Sequence, residues 1–312
     1  MDLRIFVEPQ QGASYDTLLA VAQTTERSGF DAFFRSDHYL RMGSGSGVPG
    51  PTDTWVTLAG LARETTTIKL GTLVTSATFR HPGPLAVSVA QVDQMSGGRV
   101  ELGLGAGWYK AEHLAFDIPF PPLGERFDRL EDQLAILRGM WDPSTSPERP
   151  FSFSGRHHSV VDTPGLPKPT GPVPIIIGGG GPKRTPRLAA NYAAEFNTPF
   201  KSVDDARNLF SNVRLACDAV SRDPDSMIMS SALVVVCADT EAELHRRAKA
   251  IGREVGELRT DGLCGSAGQI AEKLDAYRKV GATRVYLQIL DLSDLEHVQQ
   301  IGEQLLPLVR TI

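Results

Sequence analysis

Short apolar runs alternate with amphipathic segments from one end of this chain to the other, eight times in all. The runs are LRIFV (3–7), DAFFRS (31–36), IKLGTLVTS (68–76), RVELGLGAG (99–107), VPIIIGG (173–179), AAEFNTP (193–199), MIMSSALVVVCA (227–238) and RVYLQIL (284–290). Several, such as Ile175–Ile177 and Leu233–Val236, are continuously apolar, as parallel strands buried on both faces must be. Between them lie helical patterns with start and stop signals: Ser14 and Gly29 around the first, Ser202 before the helix reaching Ala219, Thr240 with Glu243, and Ser266 with Gln269. A doubly wound open sheet also alternates in this way. Eight units over 312 residues fit a closed (β/α)8 barrel better.

The rhythm breaks once. Residues 142–172 are rich in Pro, Ser and Gly, and FSFSGRHHSVV within them reads as a hairpin turning at Gly155. The chain is therefore expected to be one barrel domain, 1–312, with an inserted excursion between the fourth helix and the fifth strand. At 41% hydrophobic and 22% charged it has the composition of a soluble globular protein. Its 32 basic and 37 acidic residues leave a net charge of −5, which argues against a phosphate-neutralising nucleic-acid binder. No stretch approaches a membrane helix, and MDLRIFVEPQ lacks the pattern of a signal peptide. Cys217, Cys237 and Cys264 lie far apart and read as buried thiols. A cytoplasmic location is the expectation.

In such a barrel the reactive face lies at the C-terminal strand ends. Strand two ends on Ser36, Asp37 and His38, and strand one on Glu8. An Asp that caps a loop and a His that packs are the plain alternative, but the position favours function. A histidine also exchanges protons near neutral pH. Strand three carries Thr72, Leu73 and Val74 before a polar loop. Strand four runs into Gly105, Ala106, Gly107 and Trp108, with Glu112 a turn further on. This GLGAG is no dinucleotide fingerprint, because it follows the fourth strand and lacks the GxGxxG spacing. Small residues here let a flat ring lie against the backbone. Strand five ends on Gly178, Gly179, Gly180 and Gly181, then Lys183, Arg184 and a helix start. That is either a flexible turn or a nest for a phosphate. It lacks the Lys-Ser/Thr of a P-loop. His157, His158 and His113 have no partners at metal-ligand spacing, so no metal is expected, and Cys264 has no base nearby in sequence.

SDHYL, the long stretch from Leu70 to His113 and GSAGQIAEKLDAYRKVGATRVYLQ, together with IIIGGGG, resemble the luciferase-like monooxygenase superfamily, specifically its coenzyme F420 branch. The resemblance covers nearly the whole chain. It implies a deazaflavin ring in the barrel mouth and hydride transfer between its C5 and a small organic substrate. Asp37 and His38 would lie beside the ring, with His38 as acid/base or stabiliser. A cis peptide at Leu73–Val74 would back the ring, and Gly178–Gly181 would hold the phosphate. The chain departs from several F420-dependent dehydrogenases in carrying Ala106 where they place a glutamate, with Glu112 beyond it. This disfavours a sugar-phosphate or simple alcohol substrate and points to a larger, less polar one. Two other readings keep the fold: a two-component monooxygenase using reduced FMN, and a non-catalytic flavin-binding barrel. A homodimer is common in the family. Substrate choice is expected to lie with the insertion and the loops after strands one, two and seven.

Overall fold

The computed structural model describes residues 1–43 and 45–310. Its strands are β1 (Asp2–Val7), β2 (Ala32–Arg35), β3 (Lys69–Thr72), β4 (Thr75–Ser76), β5 (Val100–Gly105), β6 (Phe151–Ser154), β7 (Ser159–Thr163), β8 (Ile175–Gly178), β9 (Glu195–Pro199), β10 (Ile228–Cys237), β11 (Leu263–Gly265) and β12 (Arg284–Ile289). The helices are α1 (Tyr15–Arg27), α2 (Thr54–Glu64), α3 (Pro82–Ser96), α4 (Lys110–Ala115), α5 (Leu123–Trp141), α6 (Arg184–Tyr192), α7 (Val203–Ala219), α8 (Glu241–Ala250), α9 (Val255–Asp261), α10 (Ala267–Lys279), α11 (Leu295–Gln300) and α12 (Leu306–Arg310), the last two joined through a π turn. Parallel pairing runs β1–β2–β3–β5–β8–β9–β10–β12 and returns to β1, closing the eight-stranded barrel. No helix among the described residues is long and apolar enough to cross a membrane.

Strand alternation sorts the side chains into two populations. Leu3, Ile5 and Val7 of β1, Phe33 of β2 and Leu70 of β3 join the apolar layer between barrel and helices. The opposite parity points inward and stacks in layers. At the N-terminal end an ion network fills the barrel. Arg4 donates to Glu101 at 2.6 Å and to Asp2 at 2.9 Å, Lys69 lies 3.1 Å from Glu101, and Arg284 binds Asp2 at 2.6 Å and also Glu195. Above it Phe6, Ala32, Phe34, Leu73, Ile176, Ala232 and Tyr286 pack as a second layer. The third level, at the C-terminal strand ends, is where the inward residues stop filling the space.

The excursion after α5 forms the antiparallel hairpin β6–β7, and Gly155 sits at its turn as the sequence indicates. Asp132 of α5 anchors it by accepting from the backbone N–H groups of His157 and His158, at 2.7 and 3.0 Å. The caps form at Ser14, Ser202, Thr240 and Ser266. Only Ser266 with Gln269 makes the reciprocal box; Thr240 accepts from the Glu243 N–H without a return bond. Three elements depart from the expected plan, the first being α9, a second helix between α8 and β11. Residues 110–115 form α4, and Cys264 lies in β11, which extends the sheet beside β10. All three cysteines are buried free thiols.

Candidate active site

A cavity of about 350 Å³ opens at the C-terminal end of the barrel, within the range of small-molecule sites. Ser36, His38, Leu73, Val74, Gly105, Ala106, Gly107, Trp108, Glu112 and Gly178–Gly181 all line it. Asp37 and Thr72 do not. β2 ends at Arg35, and in the segment that follows Ser36 and His38 face the cavity while Asp37 between them does not. Asp37 instead accepts from Thr75 at 2.8 Å and from the Arg80 guanidinium at 2.5 Å. Arg80 in turn reaches Asp53 at 2.7 Å and the Tyr39 hydroxyl at 2.9 Å. Asp37 thus ties down the loop that carries His38. Thr72 is turned into the strand ladder, where its hydroxyl donates to the Gly103 carbonyl at 2.9 Å and accepts from the Gly103 N–H at 3.0 Å.

The wall between β3 and β5 carries a bulge. Gly71 pairs with Glu101, and pairing resumes with Thr75 opposite Leu104, so β3–β4 spends one more residue than β5. Within the bulge the Leu73–Val74 peptide is cis. Val74 is pushed into the barrel mouth, and glycines make room for it. A Cβ at Gly105 would stand 2.9 Å from the Val74 side chain, and one at Gly178 would stand 3.1 Å from it. Any larger residue at these two positions presses on the bulge.

His38 and Glu112 meet across the mouth. Nδ1 of His38 lies 3.0 and 3.1 Å from the two carboxyl oxygens of Glu112, which is fully buried. The same carboxyl accepts from the backbone N–H groups of Tyr39, at 2.5 Å, and Leu40, at 3.2 Å. Three donors therefore converge on one acceptor group, which assigns the ring proton to Nδ1. Nε2 of His38 has no partner among the described residues and is left for the cavity. The rings of Trp108 and Tyr109 stand edge-on to His38, at 6.0 and 6.3 Å, and Trp108 is 65% exposed at the rim.

The glycine turn after β8 is only partly a nest. The Gly179 N–H donates to the Asn197 carbonyl at 3.2 Å and continues the sheet. Those of Gly180 and Gly181 have no partner among the described residues. Arg184 points away, binding Asp128 at 2.5 Å and the Gly124 carbonyl at 3.0 Å, and neither it nor Lys183 lines the cavity. The cation beside Gly180 is Lys201, which does not line the cavity either; its Cε lies 3.5 Å from where a Gly180 Cβ would be. Sequence reasoning missed Lys201, and its only signal was its place two residues past the end of β9. No group of His, Cys, Asp and Glu among the described residues is arranged to hold a metal ion.

The family model of the luciferase-like monooxygenases matches residues 1–261. The chain is similar to the F420-dependent hydroxymycolic acid dehydrogenase of Mycobacterium tuberculosis, 32% identical over 228 residues that cover 73% of this chain and 61% of that protein. The chain thus spans about three-fifths of that relative's length. It is also similar to the FMNH2-dependent dimethylsulfone monooxygenase of Pseudomonas putida, 25% identical over 98% of this chain and 91% of the other. Among solved structures, an F420-dependent secondary alcohol dehydrogenase in complex with an F420-acetone adduct superimposes with a TM-score of 0.84. It is 18% identical and covers 99% of both chains, a likeness of fold. With a closed barrel, a bulged third strand and a family match over most of its length, the chain belongs to the luciferase-like monooxygenase family.

Proposed function

We propose that this protein is an F420-dependent oxidoreductase that moves a hydride between C5 of the deazaflavin and a small organic substrate. The observation that carries the reading is the His38–Glu112 pair at the cavity wall, with Nδ1 engaged and Nε2 left for the bound molecules. The residues present fit such a cofactor. Val74 gives the mouth an apolar backing seated between Gly105 and Gly178. The free N–H groups of Gly180 and Gly181, with Lys201 beside them, suit a phosphate. The similarity to F420-dependent dehydrogenases supports the same choice.

The deazaflavin, when bound, supplies the carbon that gives or takes the hydride. The chain does the rest. Glu112 fixes the His38 ring by its hydrogen bond to Nδ1. His38 then holds, gives or accepts the proton at Nε2 that accompanies hydride transfer. Asp37, Arg80 and Asp53 hold the intervening loop in place. Trp108 and Phe200, both lining the cavity and half or more exposed in the case of Trp108, cover its rim with apolar surface.

A second reading is an FMN-dependent monooxygenase, favoured by the similarity to the dimethylsulfone monooxygenase along nearly the whole of both chains. Calorimetric titration of the apo-protein with F420 and with FMN, each oxidised and reduced, separates the two. Tighter binding of F420 is expected. A clear preference for FMN with O₂-dependent turnover overturns the proposal.

A further inference from the structure

A second histidine stands at the cavity with both ring nitrogens engaged. His113 is buried, and its Nδ1 lies 2.7 Å from the backbone carbonyl of Tyr109. Its Nε2 lies 2.6 Å from the Thr78 hydroxyl, and that hydroxyl lies 2.7 Å from the hydroxyl of Ser76. Phe120 and Phe79 flank the ring, at centroid distances of 4.5 and 5.3 Å. Ser76 and His113 both line the cavity.

Donor and acceptor counting fixes the direction of this chain. A carbonyl only accepts, so Nδ1 carries a proton, and in the neutral ring it is the one proton of His113. Nε2 then offers a lone pair, and Thr78 must donate to it. A hydroxyl has one proton, so Thr78 has none left for Ser76, and Ser76 must donate to Thr78. The one proton of Ser76 is thereby spent inside the protein. We propose that His113 is a positioning residue that acts through Thr78 to turn the Ser76 hydroxyl proton away from the cavity, leaving Ser76 as an acceptor only. The group that meets Ser76 in the bound molecule is then an N–H or O–H donor. A molecule placing a carbonyl or ether oxygen there meets lone pair against lone pair.

The surroundings keep the relay clear. Gly107 has φ +80°, and a Cβ there would stand 2.3 Å from the Ser76 oxygen and 3.2 Å from that of Thr78. Side chains other than hydrogen at position 107 would displace the hydroxyls.

The inference rests on the cofactor site proposed above, and its test is built to fail separately. The first measurement needs no ligand: ¹⁵N NMR of imidazole-labelled protein, with the His113 signals identified by their loss in His113→Asn. The expected result is a protonated Nδ1 with a bare Nε2 whose shift moves in Thr78→Val. A proton found on Nε2, with or without one on Nδ1, overturns the inference whatever the cofactor. The second is a binding cycle with whichever of F420 and FMN the wild type binds. Ser76→Ala and Thr78→Val should each weaken binding by about threefold to tenfold. The double variant should bind no more weakly than Ser76→Ala, because Thr78 acts only through Ser76. Losses that multiply overturn the inference. Binding of neither cofactor by the wild type instead sinks the functional reading, and the tautomer measurement still decides the relay.

Discussion

Nδ1 of His38 lies 3.0 Å from a carboxyl oxygen of Glu112, although 74 residues separate them in the chain. Neither residue alone distinguishes a reactive histidine from a packed one. Together they fix which ring nitrogen carries the proton. His38→Ala should lower kcat by about 10²–10⁴-fold at saturating cofactor while the barrel remains folded. Turnover like the wild type, with only cofactor affinity reduced, would assign His38 to stacking instead. Glu112→Gln removes one acceptor oxygen from a buried cluster of three donors. It should lower the stability by about 1–3 kcal/mol, read from denaturant midpoints, and reduce kcat in the same variant.

Gly180 offers a cleaner probe of the anion site than its neighbours. A Cβ there meets nothing nearer than Lys201 at 3.5 Å, whereas one at Gly181 would press on Thr185 at 2.9 Å. Gly180→Val should therefore fold, yet block close approach to the backbone N–H. Cofactor affinity should fall by about tenfold or more, roughly 1.4 kcal/mol by calorimetry. An unchanged Kd in the folded variant would place the phosphate elsewhere.

At the opposite end of the barrel, Arg284→Met strips Glu195 of its guanidinium partner. Burial already pushes the Glu195 carboxyl above its ordinary range, against the pull of Arg284 and Arg4. Removing one member of a buried ion pair costs about 3–5 kcal/mol. A corresponding fall in Tm is expected near neutral pH. A loss below about 1 kcal/mol would mean that water or a rearranged Arg4 replaces the missing charge.

The clearest acid dependence belongs to Glu26. Burial works to raise its pKa, but the N–H groups of Thr67, Thr66 and Ile68 and the Thr67 hydroxyl all donate to one oxygen and bring it down to about 2. A depressed carboxyl stabilises the fold above its unfolded pKa and loses that contribution as pH falls through the folded one. Glu26→Gln should thus lower Tm at pH 7, and the gap to the wild type should close between about pH 4.5 and 2. A gap that stays constant over that interval rules out the ionised carboxyl as its source.

Much of this was legible in advance because the signals are local. Apolar run length, cap residues and the Pro-rich break marked every barrel strand and the hairpin. Asp37 is turned from the cavity by Thr75 and Arg80, partners far from it in the chain. Reading Ser36, Asp37 and His38 as a single motif hid this. Thr72 shares the outward parity of Leu70, so plain alternation already kept it from the mouth; the bulge adds Val74 to the inward Leu73. The short helix α4 was missed since it is only six residues long, is separated from β5 by four residues and has no side-chain cap hydrogen bond from Tyr109. Lys201, and the contact of His38 with Glu112 of α4, depend on distances between segments far apart in the chain, and no spacing along the chain encodes those.

The ionic layer at the barrel's N-terminal end has a kinetic corollary. With Arg4, Glu101, Glu195 and Arg284 stoppering that end, the tube becomes a cup open at its C-terminal end. Two guests that stack within a cup enter in sequence and depart in reverse. On the function proposed above, whichever of cofactor and substrate sits deeper arrives first and leaves last, an order that product-inhibition kinetics would read and that is set by a part of the molecule neither guest touches.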